Sequence, residues 1–234
     1  MLFAPTRALN IMSVISAIVP APRHPGRFEI IVDGKPLALL SLQAIEELQL
    51  ALGRPVDGLE ERIAREAARL KVYDRALNML AFRARSSAEL GRSLVRKGEE
   101  KEHVDWAVHR LQENGLLDDA AFAQSFTRAK VLGAQQSRRR VQQDLSRKGV
   151  ARSVSDAAID TVFEEEGVDQ REIVEEAARK KLRSLRGLEP VVRRRRLYAF
   201  LARRGYDADD IRAAMDAVGA ALTGGEEADA LEEE

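Results

Sequence analysis

The chain says one short phrase three times, and this repetition limits its fold more than any other feature. Leu94-Val95-Arg96-Lys97-Gly98 returns as Leu145-Ser146-Arg147-Lys148-Gly149 and again as Leu201-Ala202-Arg203-Arg204-Gly205. The glycines stand 51 and then 56 residues apart. Self-similarity at a period near 50 marks a tandem repeat, whose units bury their apolar faces against their neighbours.

The surroundings of the phrase repeat as well. Four residues before each leading leucine stand Leu90, Val141 and Leu197; ten after each glycine stand Val108, Ile159 and Met215; thirteen after stand Leu111, Val162 and Val218. Spacings of three and four hold such residues on one helical face. Each unit therefore reads as a helix that ends on a basic pair, a glycine at the left-handed residue after the helix, and a second helix. A third helix precedes the pair in each unit, over 73–84, 118–132 and 170–186. Ser86-Ser87-Ala88-Glu89 has capping-box spacing, and Asp118 and Asp207 stand before apolar-periodic runs. The five aligned columns argue against an ordinary nine-helix globule.

The first 72 residues follow another pattern. Ser13 to Val19 and Phe28 to Val32 are short β-prone runs, and Asp33-Gly34 before Lys35 to Leu40 is a hairpin signal. Helices are expected near 42–52 and 58–72, and the proline-rich stretch Pro20 to Pro25 reads as a loop. The fold class is thus mainly α: three tandem three-helix repeats in an elongated array, preceded by a small β-containing domain. The expected domains are a disordered 1–12 (with Met12 as an alternative start), an N-terminal 13–72, repeats over 73–117, 118–168 and 169–221, and a disordered acidic tail over 222–234.

The run Ile11 to Val19 is too short to span a membrane. The absence of cysteine fits a cytoplasmic protein without a disulfide framework. Thirty-eight Lys and Arg balance 38 Asp and Glu, but not evenly along the chain. Residues 124–152 carry eight cations and one acid; residues 171–204 carry twelve and four; from Gly205 onward one cation faces ten acids. A basic middle points to a polyanion or an acidic protein surface. Opposite Val141 and Leu145, Arg139, Arg140 and Arg147 turn outward; opposite Leu197, Phe200 and Leu201, so do Arg195, Arg196 and Arg203. With Lys148 these are the candidate contacts, and the forked guanidinium donors suit phosphates. The competing reading is a solvated face with local ion pairs.

Catalytic patterns are missing. The histidines are His24, His103 and His109, all read as surface residues, and there is no GK[ST] loop, GxSxG or HExxH. Glu164-Glu165-Glu166 reads as a solvated helix end and Trp106 as core. The phenylalanines and tyrosines fall mostly at apolar repeat positions, which does not suggest a base-stacking platform. No catalytic residue, metal ligand or cofactor is expected.

Taken in order, these residues resemble a known family. Ala76-Leu77 through Leu80, Arg83, Arg85-Ser86, Glu89-Leu90 and Leu94 to Gly98 look like the opening repeat of RecX proteins. Leu117 to Ala123, Lys148-Gly149, Leu201 to Tyr206, Pro25-Gly26-Arg27 and Asp33-Gly34 continue the similarity over about 13–219. The resemblance implies a negative regulator of the RecA recombinase. Such a protein binds the RecA filament on single-stranded DNA and lowers its growth, ATPase, strand-exchange and co-protease activities. It implies DNA as a further contact and no catalytic residue; no membrane contact and a monomer are expected besides. The alternative is a helical DNA-binding protein that acts without RecA.

Overall fold

The computed structural model describes residues 13–219. The disorder expected for 1–12 and for the acidic tail 222–234 concerns residues outside this range. The chain divides into two compact units, one of Met1–Arg83 with Leu90–Leu116, the other of Ala84–Glu89 with Leu117–Glu234.

The first unit begins with an antiparallel sheet in the order β1 (Ile15–Pro20), β2 (Arg27–Val32), β3 (Lys35–Ser41). Asp33 and Gly34 both take positive φ, 50° and 76°, as the tight turn between β2 and β3 requires. Ile15, Ile30 and Leu40 point to one face and pack with Ile45, Leu48, Val56 and Ile63. Helix α1 (Leu42–Glu47) starts at Ser41, whose Oγ accepts the Ala44 N–H at 3.2 Å. It stops after six residues rather than running to 52. The reason is tertiary: residues 53–56 turn back onto the outer edge of β1. There Ile15 N–H donates to Arg54 O at 3.0 Å and Gly53 N–H to Ile15 O at 2.8 Å. Covering that edge removes a row of unpaired backbone groups.

Helix α2 runs unbroken over Glu60–Phe82. Two helices, 58–72 and 73–84, were expected from the repeat boundary. No Gly or Pro separates them, and buried Leu70, Val72, Tyr73 and Ala76 carry one apolar face across the junction. The opening helix of the first repeat is therefore the end of a longer one. Helices α3 (Ser87–Arg96) and α4 (Lys101–Glu113) follow, and α4 packs Val104, Ala107 and Leu111 inward.

The second unit holds α5 (Asp119–Arg128), α6 (Arg138–Lys148) and α7 (Arg152–Glu165), then α8 (Gln170–Arg183), α9 (Pro190–Arg203) and α10 (Ala208–Ala217). Asp118 and Asp207 cap α5 and α10 as their positions suggest. The helix expected over 118–132 widens after Arg128 into a π-helical turn, Ala129–Gly133, which buries Val131. Two cores result: Ala123, Val131, Val141, Leu145 and Ile159 in one bundle, and Val174, Leu182, Leu197, Leu201, Ile211 and Met215 in the other.

One joint recurs within this unit. Buried Ser86 Oγ donates to Lys148 O at 2.6 Å while accepting Glu89 N–H at 3.2 Å. Buried Ser137 occupies the same place one repeat on: its N–H donates to Arg204 O at 3.0 Å, and its Oγ accepts Arg140 N–H at 3.2 Å. A serine that starts the middle helix of one repeat thus meets the last carbonyl before the repeat glycine of the next. At Gly205, with φ +91°, a Cβ would lie 2.5 Å from Arg140 Cβ and 2.7 Å from Ser137 Oγ. That glycine is required by both backbone conformation and close approach. Tyr206 completes the joint by donating its hydroxyl to Gln135 O at 3.0 Å. Burial pushes its phenol well above the ordinary tyrosine range. The third repeat has Arg193 where the other two have serine, because α9 begins four residues earlier, with Pro190 in its first turn.

Candidate interaction surface

The basic residues singled out by the sequence lie on α6 and α9, and the two helices treat them differently. On α6, Asp144 draws in two of them. Arg140 Nε lies 3.3 Å and Arg147 Nη1 3.1 Å from its carboxylate, which is only 16% exposed. The i,i+4 and i,i+3 spacings bring these side chains together. Arg140, expected to face outward, is half-buried as a result. Arg139 Nε donates to Gly205 O at 3.2 Å. Lys148 reaches Glu89 at 3.0 Å and lies over the Phe122 and Phe126 rings at 5.7 and 5.3 Å. Each α6 candidate therefore has an internal partner.

On α9 the opposite holds. Leu197 and Leu201 are fully buried and fix the helix on its bundle. Arg194, Arg195, Arg196 and Arg203 are exposed, and among the described residues no side-chain ion pair or hydrogen bond engages them. Val191, Arg194, Arg195 and Tyr198 stand at i, i+3, i+4 and i+7, so they share one face. Val191 is 81% exposed and Tyr198 46%. The result is an apolar and aromatic centre set among free guanidinium groups. Tyrosine and arginine are the residues that most often anchor interfaces. Arg204, next to Arg203, differs: its guanidinium stacks on Phe200 at 4.2 Å, and burial lowers its pKa.

Val191, Arg194 and Tyr198 escaped the sequence reading. The phenylalanines and tyrosines are expected mostly at apolar repeat positions, but Tyr198 lies one residue past buried Leu197 and turns outward. The available signal was the stripe from Val191 to Tyr198 itself. Phe82, 86% exposed, is a second aromatic outside the core. Trp106 is half-buried rather than core. It lines a cavity of about 610 Å³ in the first unit, with Arg69 5.7 Å above its ring. The arginines lining that cavity are paired: Arg27 with Asp74 at 2.7 Å, Arg69 with Glu66 at 2.7 Å, and Arg110 with Glu113 at 3.2 Å. The His103 side chain, expected at the surface, is only 13% exposed and lies 3.7 Å from Glu100. Among the described residues, no three His, Asp or Glu side chains converge to hold a metal ion, and no helix is long and apolar enough to cross a membrane.

A chain of tandem three-helix repeats in which Arg194, Arg195, Arg196 and Arg203 stand exposed on one helix is a protein of the helical-repeat class. Family models for the first, second and third three-helix domains of RecX match residues 73–111, 118–159 and 169–215. The chain belongs to the RecX family, and its role at that level is regulatory. The regulatory protein RecX of Chlorobaculum tepidum is 37% identical over 147 residues, 63% of this chain and 88% of that one. That of Halorhodospira halophila is 38% identical over 153 residues, 64% of this chain and 90% of that one. A crystal structure of regulatory protein RecX has the same fold, with a TM-score of 0.70 at 24% identity over 87% of this chain and 99% of that chain.

Proposed function

We propose that this chain is a non-enzymatic, cytoplasmic negative regulator of the RecA recombinase that works as a monomer. It binds the RecA filament on single-stranded DNA and opposes its growth, ATPase, strand-exchange and co-protease activities. In this way it modulates DNA repair and the SOS response. The supporting observation is the exposed side of α9 in a protein of the RecX family, where unpaired Arg194 and Arg195 flank Val191 and Tyr198 and unpaired Arg196 and Arg203 stand further round the helix. Guanidinium groups meet DNA phosphates or acidic recombinase patches, and the apolar centre gains from desolvation on contact. Several modest contacts on successive repeats reinforce one another through effective concentration. A protein that holds neighbouring recombinase subunits together opposes the movements of ATP turnover without chemistry of its own. The test is ATP hydrolysis by preformed RecA filaments on single-stranded DNA, with this protein titrated below the RecA concentration. Substoichiometric loss of hydrolysis is expected, and unchanged hydrolysis at saturation overturns the proposal.

The four free arginines also favour a second reading, a helical DNA-binding protein that acts without RecA. It predicts binding to bare DNA with a steep salt dependence and no effect on the filament beyond DNA competition.

A further inference from the structure

The outward face of α9 has an electrostatic and apolar complement within the same chain. Arg194, Arg195, Arg196 and Arg203 have no described side-chain partner, and Val191 and Tyr198 present apolar surface between Arg194 and Arg195. The segment that follows α10 carries the matching pattern. Glu226, Glu227, Asp229, Glu232, Glu233 and Glu234 alternate with Ala228, Ala230 and Leu231, and no cation interrupts them. Its root is close by, because α10 shares its core with α9 through Leu197, Leu201, Ile211 and Met215. The fifteen residues from Ala220 to Glu234 reach up to about 50 Å when extended. Helix α9, with 14 residues, is about 21 Å long.

We infer that the acidic segment 225–234 docks on the outward face of α9 and covers it until an external polyanion or acidic partner displaces it. Each exposed ion pair contributes little, about 0.2–1 kcal/mol. Tethering raises the local concentration of the segment to about the millimolar range, so weak pairs suffice. The apolar residues add register, with Leu231 and the alanines facing Val191 and Tyr198. The covering deepens the proposed function, since it rests on α9 being the binding face. It makes the face available only to ligands that outcompete a tethered mimic of their own charge.

The absence of cysteine makes the test clean. A nitroxide on Leu231→Cys in the full chain is expected to broaden backbone amide signals of 190–203 in low salt. Broadening should vanish near 1 M salt, where the Debye length is about 3 Å. It should also vanish in Arg194→Glu/Arg195→Glu/Arg196→Glu, whose helical circular dichroism stays unchanged. No broadening in low salt, broadening centred on α6 or the first unit, or broadening that survives high salt overturns the contact. So does transfer of the effect to unlabelled copies in a mixture, which identifies a second chain as the occupant. Removal of 225–234 is expected to tighten binding of an oligothymidylate probe by about 2-fold to 10-fold, as for a face covered between half and nine-tenths of the time. Unchanged affinity overturns the covering. The amide measurement involves neither DNA nor recombinase, so its failure and the failure of the ATPase test are read separately.

Discussion

Helices α6 and α9 hold the same place in successive repeats and carry similar arginine runs, yet α6 engages its arginines internally and α9 leaves Arg194, Arg195, Arg196 and Arg203 exposed. The difference comes down to a few residues. Asp144 lies within a turn of Arg140 and Arg147 and holds both. Helix α9 has no acidic residue between Pro190 and Arg203. Ser137 and Gly205 then tie Arg139 and Arg140 into the joint with the next repeat. Arginine counts alone would rank the two helices together. Counting the carboxylates and carbonyls within reach separates a helix whose arginines are engaged internally from one that leaves them exposed.

The sharpest way to break the comparison is through the glycines. Gly205→Ala combines a left-handed φ, about 1–2 kcal/mol, with overpacking against Arg140 and Ser137, about 1–3 kcal/mol. Gly98 has φ +86° but nothing within 4 Å, so Gly98→Ala carries only the first cost. Urea denaturation should show the larger loss for Gly205→Ala, and equal losses would show that the joint is loose.

The charges give the next effect. Each phosphate contact on single-stranded DNA contributes about 0.7 to the slope of log affinity against log salt. Arg194→Ala/Arg195→Ala should lower that slope by about 1.4, whereas Arg140→Ala/Arg147→Ala should hardly change it. If both pairs lower it equally, ion pairing inside α6 does not withhold those cations from a ligand.

The smallest effect appears only in alkali. Burial raises the Tyr206 phenol above its unfolded value of about 10. The stability this contributes is complete below about pH 10 and is lost as pH climbs past the unfolded value. Tyr206→Phe should lose about 1 kcal/mol at neutral pH with its hydrogen bond to Gln135 O. It should then show a shallower decline than the native chain in denaturation above pH 10.

The capped helices, the Asp33-Gly34 turn and the three repeat glycines were legible in the sequence because each rests on local chemistry. The pairing of Asp144 with Arg140 and Arg147 needs only helical spacing, yet both arginines were expected to turn outward as contacts. What else escaped depended on distant residues. The early end of α1 follows from residues 53–56 covering the β1 edge. Lys148 was read as a free cation because its partner, Glu89, lies 59 residues away. The unbroken α2 escaped for another reason: similarity marked a repeat boundary where the backbone has no breaker.

The serine joint also has a consequence in time. The Lys148 carbonyl that accepts from Ser86 lies 62 residues further along the chain. At a synthesis rate of about 5–20 residues per second, it is made about 3–12 s after the serine. Arg204 follows Ser137 after a similar delay. The first and second repeats thus leave the ribosome with one bond of the middle-helix start still open, and the bond closes only when the next repeat emerges. Synthesis itself orders the assembly of this unit from first repeat to last.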